Sequence, residues 1–420
     1  MAVTSTSVNN TDSLIHTIEC YAIDRLNNIS DLILFRFIIP ADRLCPSSYK
    51  GINIHDRELT RRENGHYVFR EQPSIAEILA DVKYMGLNAI RVNTFWETHR
   101  YFKARGNESA YLDRIKAIAD EADRQGIAVL YNAMHQWKIS GSIVPEWGSG
   151  RGAGFPYSCL EALGIPAGSK YNDIINGRAV YDIFWQNFVD NYQCTIDGVT
   201  KPIWEHIWYD HLKKIVEVTA DRASTLGYTL INEPFHANNV PISKIQGLGN
   251  YHSFIARKIR EVTRRKKIIF TEFMTVTSSD NWGGLGQRDK ALIYLIPRYE
   301  NGDIIDNILF TYHVYAADTG FNDMYIRKAN NIESVIKPYG IPIIVTEFNA
   351  NTTYTEIKQE GLINYLQEFK NRGYGWFYFG YDPNYHSTIK DLNYNDRLNS
   401  AGIKFKDMLR DAVQYVYYQS

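Results

Sequence analysis

The sequence predicts an α/β chain closed into a (β/α)8 TIM barrel, with an N-terminal β-hairpin extension and a long loop after the third strand. Three observations carry this. From residue 51 onward, eight apolar, β-branched-rich runs alternate with helical patterns. Such alternation favours parallel strands joined by right-handed crossovers. The first run reads Gly51-Ile52-Asn53-Ile54-His55-Asp56 and opens no GxGxxG phosphate loop, the usual mark of a doubly wound open sheet. Polar residues stand at the ends of most runs, and in a parallel barrel the strand ends are where chemistry is done.

The predicted strands are Gly51–His55, Ala89–Thr94, Ala128–Met134, Tyr228–Asn232, Lys267–Phe273, Asn307–Val314, Pro342–Phe348 and Tyr374–Gly380. The first helix, Ser74–Met85, follows Pro73 and stops at Gly86, with apolar residues three and four apart. Ala110–Arg124 stops at Gly126, and Ile203–Ser224 stops at Gly227. Tyr251–Thr263, Ile332–Tyr339, Glu360–Arg372 and Ala401–Tyr417 complete the helical set. Residues 1–48 read as a separate extension. There Ile15–Ile23 and Leu32–Ile39 flank Asn27-Asn28-Ile29-Ser30, a hairpin pattern. Residues 49–420 read as one catalytic domain. The connection from Gln136 to about Pro202 is longer than structureless loops usually are. It is predicted to wall a cleft at the strand tips.

Composition narrows the function. The chain has 420 residues and a formal net charge of −1, with 22% charged residues. That balance favours neither nucleic acid nor an anionic membrane as a partner. No apolar run of about 18 residues suggests a membrane span. Met1-Ala2-Val3-Thr4-Ser5-Thr6 lacks the pattern of a secretory signal. Cys20, Cys45, Cys159 and Cys194 match no zinc or CxxC spacing, and a Cys159–Cys194 bridge is left open. The 30 Tyr, 19 Phe and 8 Trp supply a core, with aromatic faces to spare for binding sugars.

The chemistry-bearing residues fall at the strand ends. Two carboxylates lead: Glu233 in Asn232-Glu233-Pro234, and Glu347 at the end of Ile341–Thr346. Facing carboxylates can hydrolyse a glycosidic bond, one protonating the leaving oxygen while the other attacks the anomeric carbon or activates water. Arg91, His135, His313, Tyr315 and Trp376 stand at or on other strands. Arg91 is the cation suited to keeping a nucleophilic carboxylate ionised. Trp137 and Trp147 follow His135 in a Gly-rich segment and are candidate sugar platforms, as is Trp282. Thr271-Glu272-Phe273 repeats the Thr346-Glu347-Phe348 triplet, so local sequence alone does not separate Glu272 from Glu347.

Over roughly residues 49–420 this ordered set resembles glycoside hydrolase family 5, within the clan of retaining (β/α)8 glycosidases. The resemblance implies Glu233 as acid/base and Glu347 as nucleophile, the latter because it falls on the seventh strand. It implies Asn232 on the sugar 2-hydroxyl, and Arg91 and Tyr315 holding Glu347. His135 and His313 would contact the sugar or the carboxylates, and Trp376 would stack beneath the sugar at the cleavage point. The expected activity is retaining hydrolysis of a β-linked oligo- or polysaccharide, foremost an endo-β-1,4-glucanase, with a β-mannanase or exo-β-glycosidase as alternatives. A non-catalytic carbohydrate-binding barrel is a further reading. A metal-dependent hydrolase using His135, His236 and His313 is another, but these lack the spacing that puts two ligands on one element. No cofactor or metal is expected, the chain is expected to be a monomer, and a polysaccharide substrate would favour an extracellular site.

Overall fold

The computed structural model describes residues 2–7, 15–23, 33–38, 40–55, 60–63, 66–69, 74–134, 155–156, 158–166, 169, 173–234, 242–272, 291–315, 323–349, 351–353, 356–357, 359–381 and 405–418. Its centre is a closed barrel of eight parallel strands. In chain order these are Lys50–His55, Ala89–Phe95, Ala128–Met134, Thr225–Thr229, Lys267–Thr271, Ile308–Tyr315, Ile343–Asn349 and Gly375–Tyr381. They are called strands one to eight below, and strand eight pairs with strand one to close the ring.

Strand pleat sorts the side chains into two cores. Alternate residues face opposite sides of a sheet. Ala89, Ala128, Leu130, Leu226, Ile269, Leu309, Ile344 and Phe377 fill the barrel interior. Ile90, Val92, Val129, Tyr131, Tyr228, Ile268, Phe270, Ile343 and Val345 face outward into the helix layer. Phe377 needs the absent Cβ of Gly51, since any side chain there would run into its ring. Strand two thereby presents Ala89, Arg91 and Asn93 to the interior in succession, the polar pair nearer the tip.

The helices obey local signals. Ile75–Tyr84 opens on a capping box, Ser74 accepting from the Glu77 amide while the Glu77 carboxylate accepts from Ser74. Glu108–Gln125 ends on Gly126 at φ 71°, the left-handed cap that glycine adopts most readily.

Several boundaries differ from expectation. Strand four ends at Thr229, so Asn232 and Glu233 lie beyond the ladder rather than on it. Gly227 permits this register, because a Cβ there would strike the Lys267 backbone of strand five. The helix expected over Ile203–Ser224 is Ile203–Ile207 and Lys213–Thr219, separated by a π-turn at Trp208–Leu212. The helix Trp96–Lys103 was not expected.

The later part of the long connection after strand three is built, not structureless. It carries a short helix Ser158–Glu161, a helix Val180–Phe188 and a hairpin of Gln193–Ile196 with Val199–Pro202. Its own aromatic core joins Phe155, Phe184, Trp185 and Phe188. Cys159 and Cys194 meet inside it as buried free thiols. In the N-terminal region Ile15–Ile23 and Ile33–Ile38 pair antiparallel, and Ala2–Ser7 adds a third strand.

Candidate active site

The site forms at the C-terminal ends of strands one, two, four, six and seven. Arg91, in the interior of strand two and fully buried, organises it. Its Nη1 donates to Glu347 Oε1 at 2.6 Å and to Asn53 Oδ1 at 2.8 Å. Its Nη2 donates to Asn232 Oδ1 at 2.7 Å. One planar guanidinium thus joins strands one and seven and the segment after strand four, using the fork that lysine lacks. Asn53 in turn donates from Nδ2 to the carbonyls of Thr346 at 2.9 Å and Tyr378 at 3.1 Å. It ties strand one to strands seven and eight at the level of the carboxylates.

His313 sits between the two carboxylates. Its Nδ1 lies 2.8 Å from Glu233 Oε1 and 3.4 Å from Glu347 Oε2. Its Nε2 lies 3.1 Å from the Thr346 hydroxyl, which is 2.8 Å from the Thr311 hydroxyl. Thr311 also accepts from the Thr346 amide at 3.1 Å. With Nε2 accepting from the Thr346 hydroxyl, Nδ1 carries the hydrogen directed at the carboxylates. The Glu347 side chain is 3% exposed and that of Glu233 13%, so Glu233 is the more open of the two to the barrel mouth.

Two backbone irregularities aim these groups. Glu233 has φ 45°, a left-handed conformation costing on the order of 1–3 kcal/mol in a non-glycine residue and concentrated at functional sites. On strand seven, Tyr312 pairs with Val345 but His313 pairs with Glu347, leaving Thr346 as an extra residue. Ile344 faces the interior and Val345 the helices. Without that bulge Glu347 would fall on the outer side with Val345. With it, Thr346 and Glu347 both face inward, while Phe348 returns to the outer layer against Trp376 and Phe369.

Glu272 shows the contrast. It follows Thr271 with no bulge and turns to the helix that follows strand six, Asp323–Ile336. There it accepts from Lys328 Nζ at 2.7 Å. The two identical triplets therefore deliver their carboxylates to different places, and Glu347 is the one beside Glu233.

The sequence placed one residue wrongly. Trp376 does not line the mouth. It is adjacent to interior-facing Phe377, so it points outward, and it is paired with Lys50 at the start of strand one, far from the tips. It is fully buried, and its indole N–H donates to the Tyr417 hydroxyl at 3.0 Å. Strand eight begins at Gly375, which puts its second residue at the barrel floor. His135, Trp137, Trp147, His236 and Trp282 lie outside the described residues, as does the Tyr315 side chain. Sequence reasoning missed Asn53, Thr311 and Thr346. Their signal was polarity at alternate positions of otherwise apolar strands.

Glu233, His313 and Glu347 also offer donor atoms all within 4.8 Å of one another, the only such trio among the described residues. A guanidinium already neutralises Glu347 at 2.6 Å, and its charge opposes a divalent cation there. No helix among the described residues is long and apolar enough to cross a membrane.

A parallel barrel with two closely set carboxylates at its C-terminal face, one buried and ion-paired to arginine and the other half-buried, has the architecture of a glycoside hydrolase. The chain belongs to glycosyl hydrolase family 5, whose cellulase profile matches residues 46–385. It is similar to an endoglycoceramidase of Cyanea nozakii, 28% identical over 211 residues, covering 44% of this chain and 40% of that protein. It is also similar to an endoglycoceramidase of Hydra vulgaris, 25% identical over 326 residues, covering 70% of this chain and 56% of the relative. The match thus spans less than two thirds of either relative. Among solved structures, endo-glycoceramidase II from Rhodococcus sp. shares the fold with a TM-score of 0.59 at 18% identity, over 86% of this chain and 78% of that one. An endoglucanase from Pseudomonas stutzeri shares it with a TM-score of 0.51 at 14% identity, over 87% and 93%.

Proposed function

We propose that the enzyme cleaves a β-glycosidic bond with retention, Glu347 acting as nucleophile and Glu233 as acid/base. One observation carries this: His313 bridges two carboxylates whose facing oxygens lie within 4.8 Å. Retaining enzymes hold their carboxyl groups about 5–5.5 Å apart, and inverting enzymes about 6.5–9.5 Å, to seat a water. Glu347, ion-paired to Arg91, attacks the anomeric carbon, and Glu233 protonates the departing oxygen. Water then enters, Glu233 takes its proton, and the glycosyl–Glu347 ester is hydrolysed. Arg91 occupies Asn232 Oδ1, which turns the Asn232 amide N–H toward a sugar hydroxyl.

For the substrate, we propose a glycosylated ceramide, cut between glycan and lipid. The names of both curated relatives support this reading. The endo-β-1,4-glucanase reading is the alternative, supported by the cellulase profile. A glycolipid substrate would bring the enzyme to a lipid surface without any spanning segment.

The test offers the purified protein a detergent-dispersed glycosylated ceramide beside soluble β-glucan, mannan and xylan. Ceramide release and new reducing ends are scored, and the first-formed anomer is read by NMR. Glucan turnover without ceramide release would sink the glycolipid reading. An inverted anomer would sink the double displacement, and no turnover on any β-glycoside would sink both.

A further inference from the structure

The repeated triplet leaves a buried carboxylate, Glu272, outside the chemistry just described. Its surroundings are specific. Glu272 Oε1 accepts from Lys328 Nζ at 2.7 Å and from the His313 backbone amide at 3.3 Å. Lys328 Nζ also donates to the His313 carbonyl at 3.0 Å. One ion pair thus grips both backbone groups of a single residue, the one whose imidazole touches both site carboxylates. Its side chains are 11% and 7% exposed, so this is a largely buried pair.

The grip stands where the sheet gives out. Strand five ends at Thr271; among the described residues, the last backbone bond from this side runs from the Glu272 amide to the Thr311 carbonyl at 3.2 Å. On the other side, the Thr346 bulge breaks the register at His313. His313 is therefore flanked by a finished strand and a dislocated one. A buried backbone amide without a partner is costly, and here a side-chain carboxylate takes the place of the missing ladder acceptor. Lys328 neutralises that carboxylate and holds the carbonyl of the same residue.

We infer that Glu272 and Lys328 are positioning residues for His313: their ion pair fixes the backbone from which the imidazole bridges Glu233 and Glu347. The pair acts on catalysis through His313 and does not touch substrate. This inference rests on the assignment of Glu233 and Glu347 as the reacting carboxylates.

The experiment replaces the pair as a unit, Glu272→Leu with Lys328→Leu, because removing one partner would strand the other as a buried charge. Activity, melting temperature and the imidazole NMR signals of His313 in the resting protein are compared with wild type. A displaced bridging imidazole is expected to lower kcat about 10- to 100-fold, with KM little changed and the His313 signals shifted. The same pair of changes in a His313→Ala background is expected to cost nothing further. Full kcat in the folded double variant, or losses that multiply with His313→Ala, would overturn the inference. If the leucine pair does not fold, Glu272→Gln with Lys328→Gln carries the same comparison, with a smaller loss of the same kind expected. Should wild type hydrolyse no β-glycoside, the proposed function falls, while the His313 signals still decide the grip by themselves.

Discussion

Arg91 and Glu347 form an ion pair at 2.6 Å with side chains 0% and 3% exposed, the arginine on strand two and the glutamate on strand seven. Breaking such a pair from one side leaves an uncompensated buried charge, a loss of about 3–5 kcal/mol. Arg91→Met is expected to lower the melting temperature markedly and abolish turnover. Arg91→Lys is expected to recover much of the stability but little of the activity, because lysine cannot hold Glu347 and Asn232 together. Comparing melting temperature with kcat/KM for the two variants checks this. Equal activity for Lys and Arg would show that charge alone matters.

Glu233→Gln is expected to remove nearly all turnover of natural substrates and leave the fold intact. Acid assistance matters most when the leaving group is a poor one. Glycosylation by an activated aryl glycoside should therefore suffer far less. Pre-steady-state rates on both substrate types separate the cases, and equal losses would count against Glu233 as the acid.

A 2-fluoro glycoside inactivator is expected to label Glu347 and to spare Glu272. The physical basis is the strand-seven bulge, which turns Glu347 inward, whereas Glu272 is held by Lys328 at 2.7 Å. Peptide mapping of the trapped protein locates the ester, and an adduct on Glu272 would overturn both role assignments.

Trp376→Phe is expected to cost about 1–3 kcal/mol of stability through the lost indole bond and poorer packing, with KM unchanged. A raised KM at unchanged stability would instead return Trp376 to the substrate site.

His252 is fully buried, with Nδ1 at 3.0 Å from the Leu295 carbonyl. Burial pushes its pKa down to about 4, against the opposing pull of that carbonyl. The unfolded chain therefore takes up a proton near pH 6.5 that the folded chain refuses until about pH 4. This contribution to stability is full above pH 6.5 and is lost as pH falls toward 4, on the order of 3 kcal/mol in all. Urea midpoints from pH 7 to 4 should show a shallower acid decline for His252→Phe. Parallel declines would assign the acid sensitivity to other groups.

The barrel was legible because its signals are local. The periodicity of Ala128–Met134 named a strand with the observed ends, and the glycine stop at Gly126 named the end of a helix. The ordered polar residues Arg91, Asn232, Glu233, His313 and Glu347 converge at one face, as their places at or just beyond the strand ends implied. Less legible were the Val180–Phe188 helix, hidden in a Gly- and Trp-rich connection, and the π-turn at Trp208–Leu212. The latter follows a tertiary demand: His211 within it reaches His99 Nδ1 at 3.0 Å.

Sequence by itself determined the eight barrel strands in their order and the residue types at the strand tips, since pleat and helix periods are properties of neighbouring residues. Only the tertiary structure decided which way those residues face. Glu272 and Glu347 share a triplet, yet one extra residue at Thr346 separates a carboxylate in the site from one in the helix layer. Trp376 was misassigned because the resemblance, and not its place on strand eight, put it beneath the sugar: it stands at the second position of Gly375–Tyr381 and faces the helices. A pleat with a period of two turns each one-residue shift of register into a change of face, and register is set by the neighbouring strands, not by the segment itself.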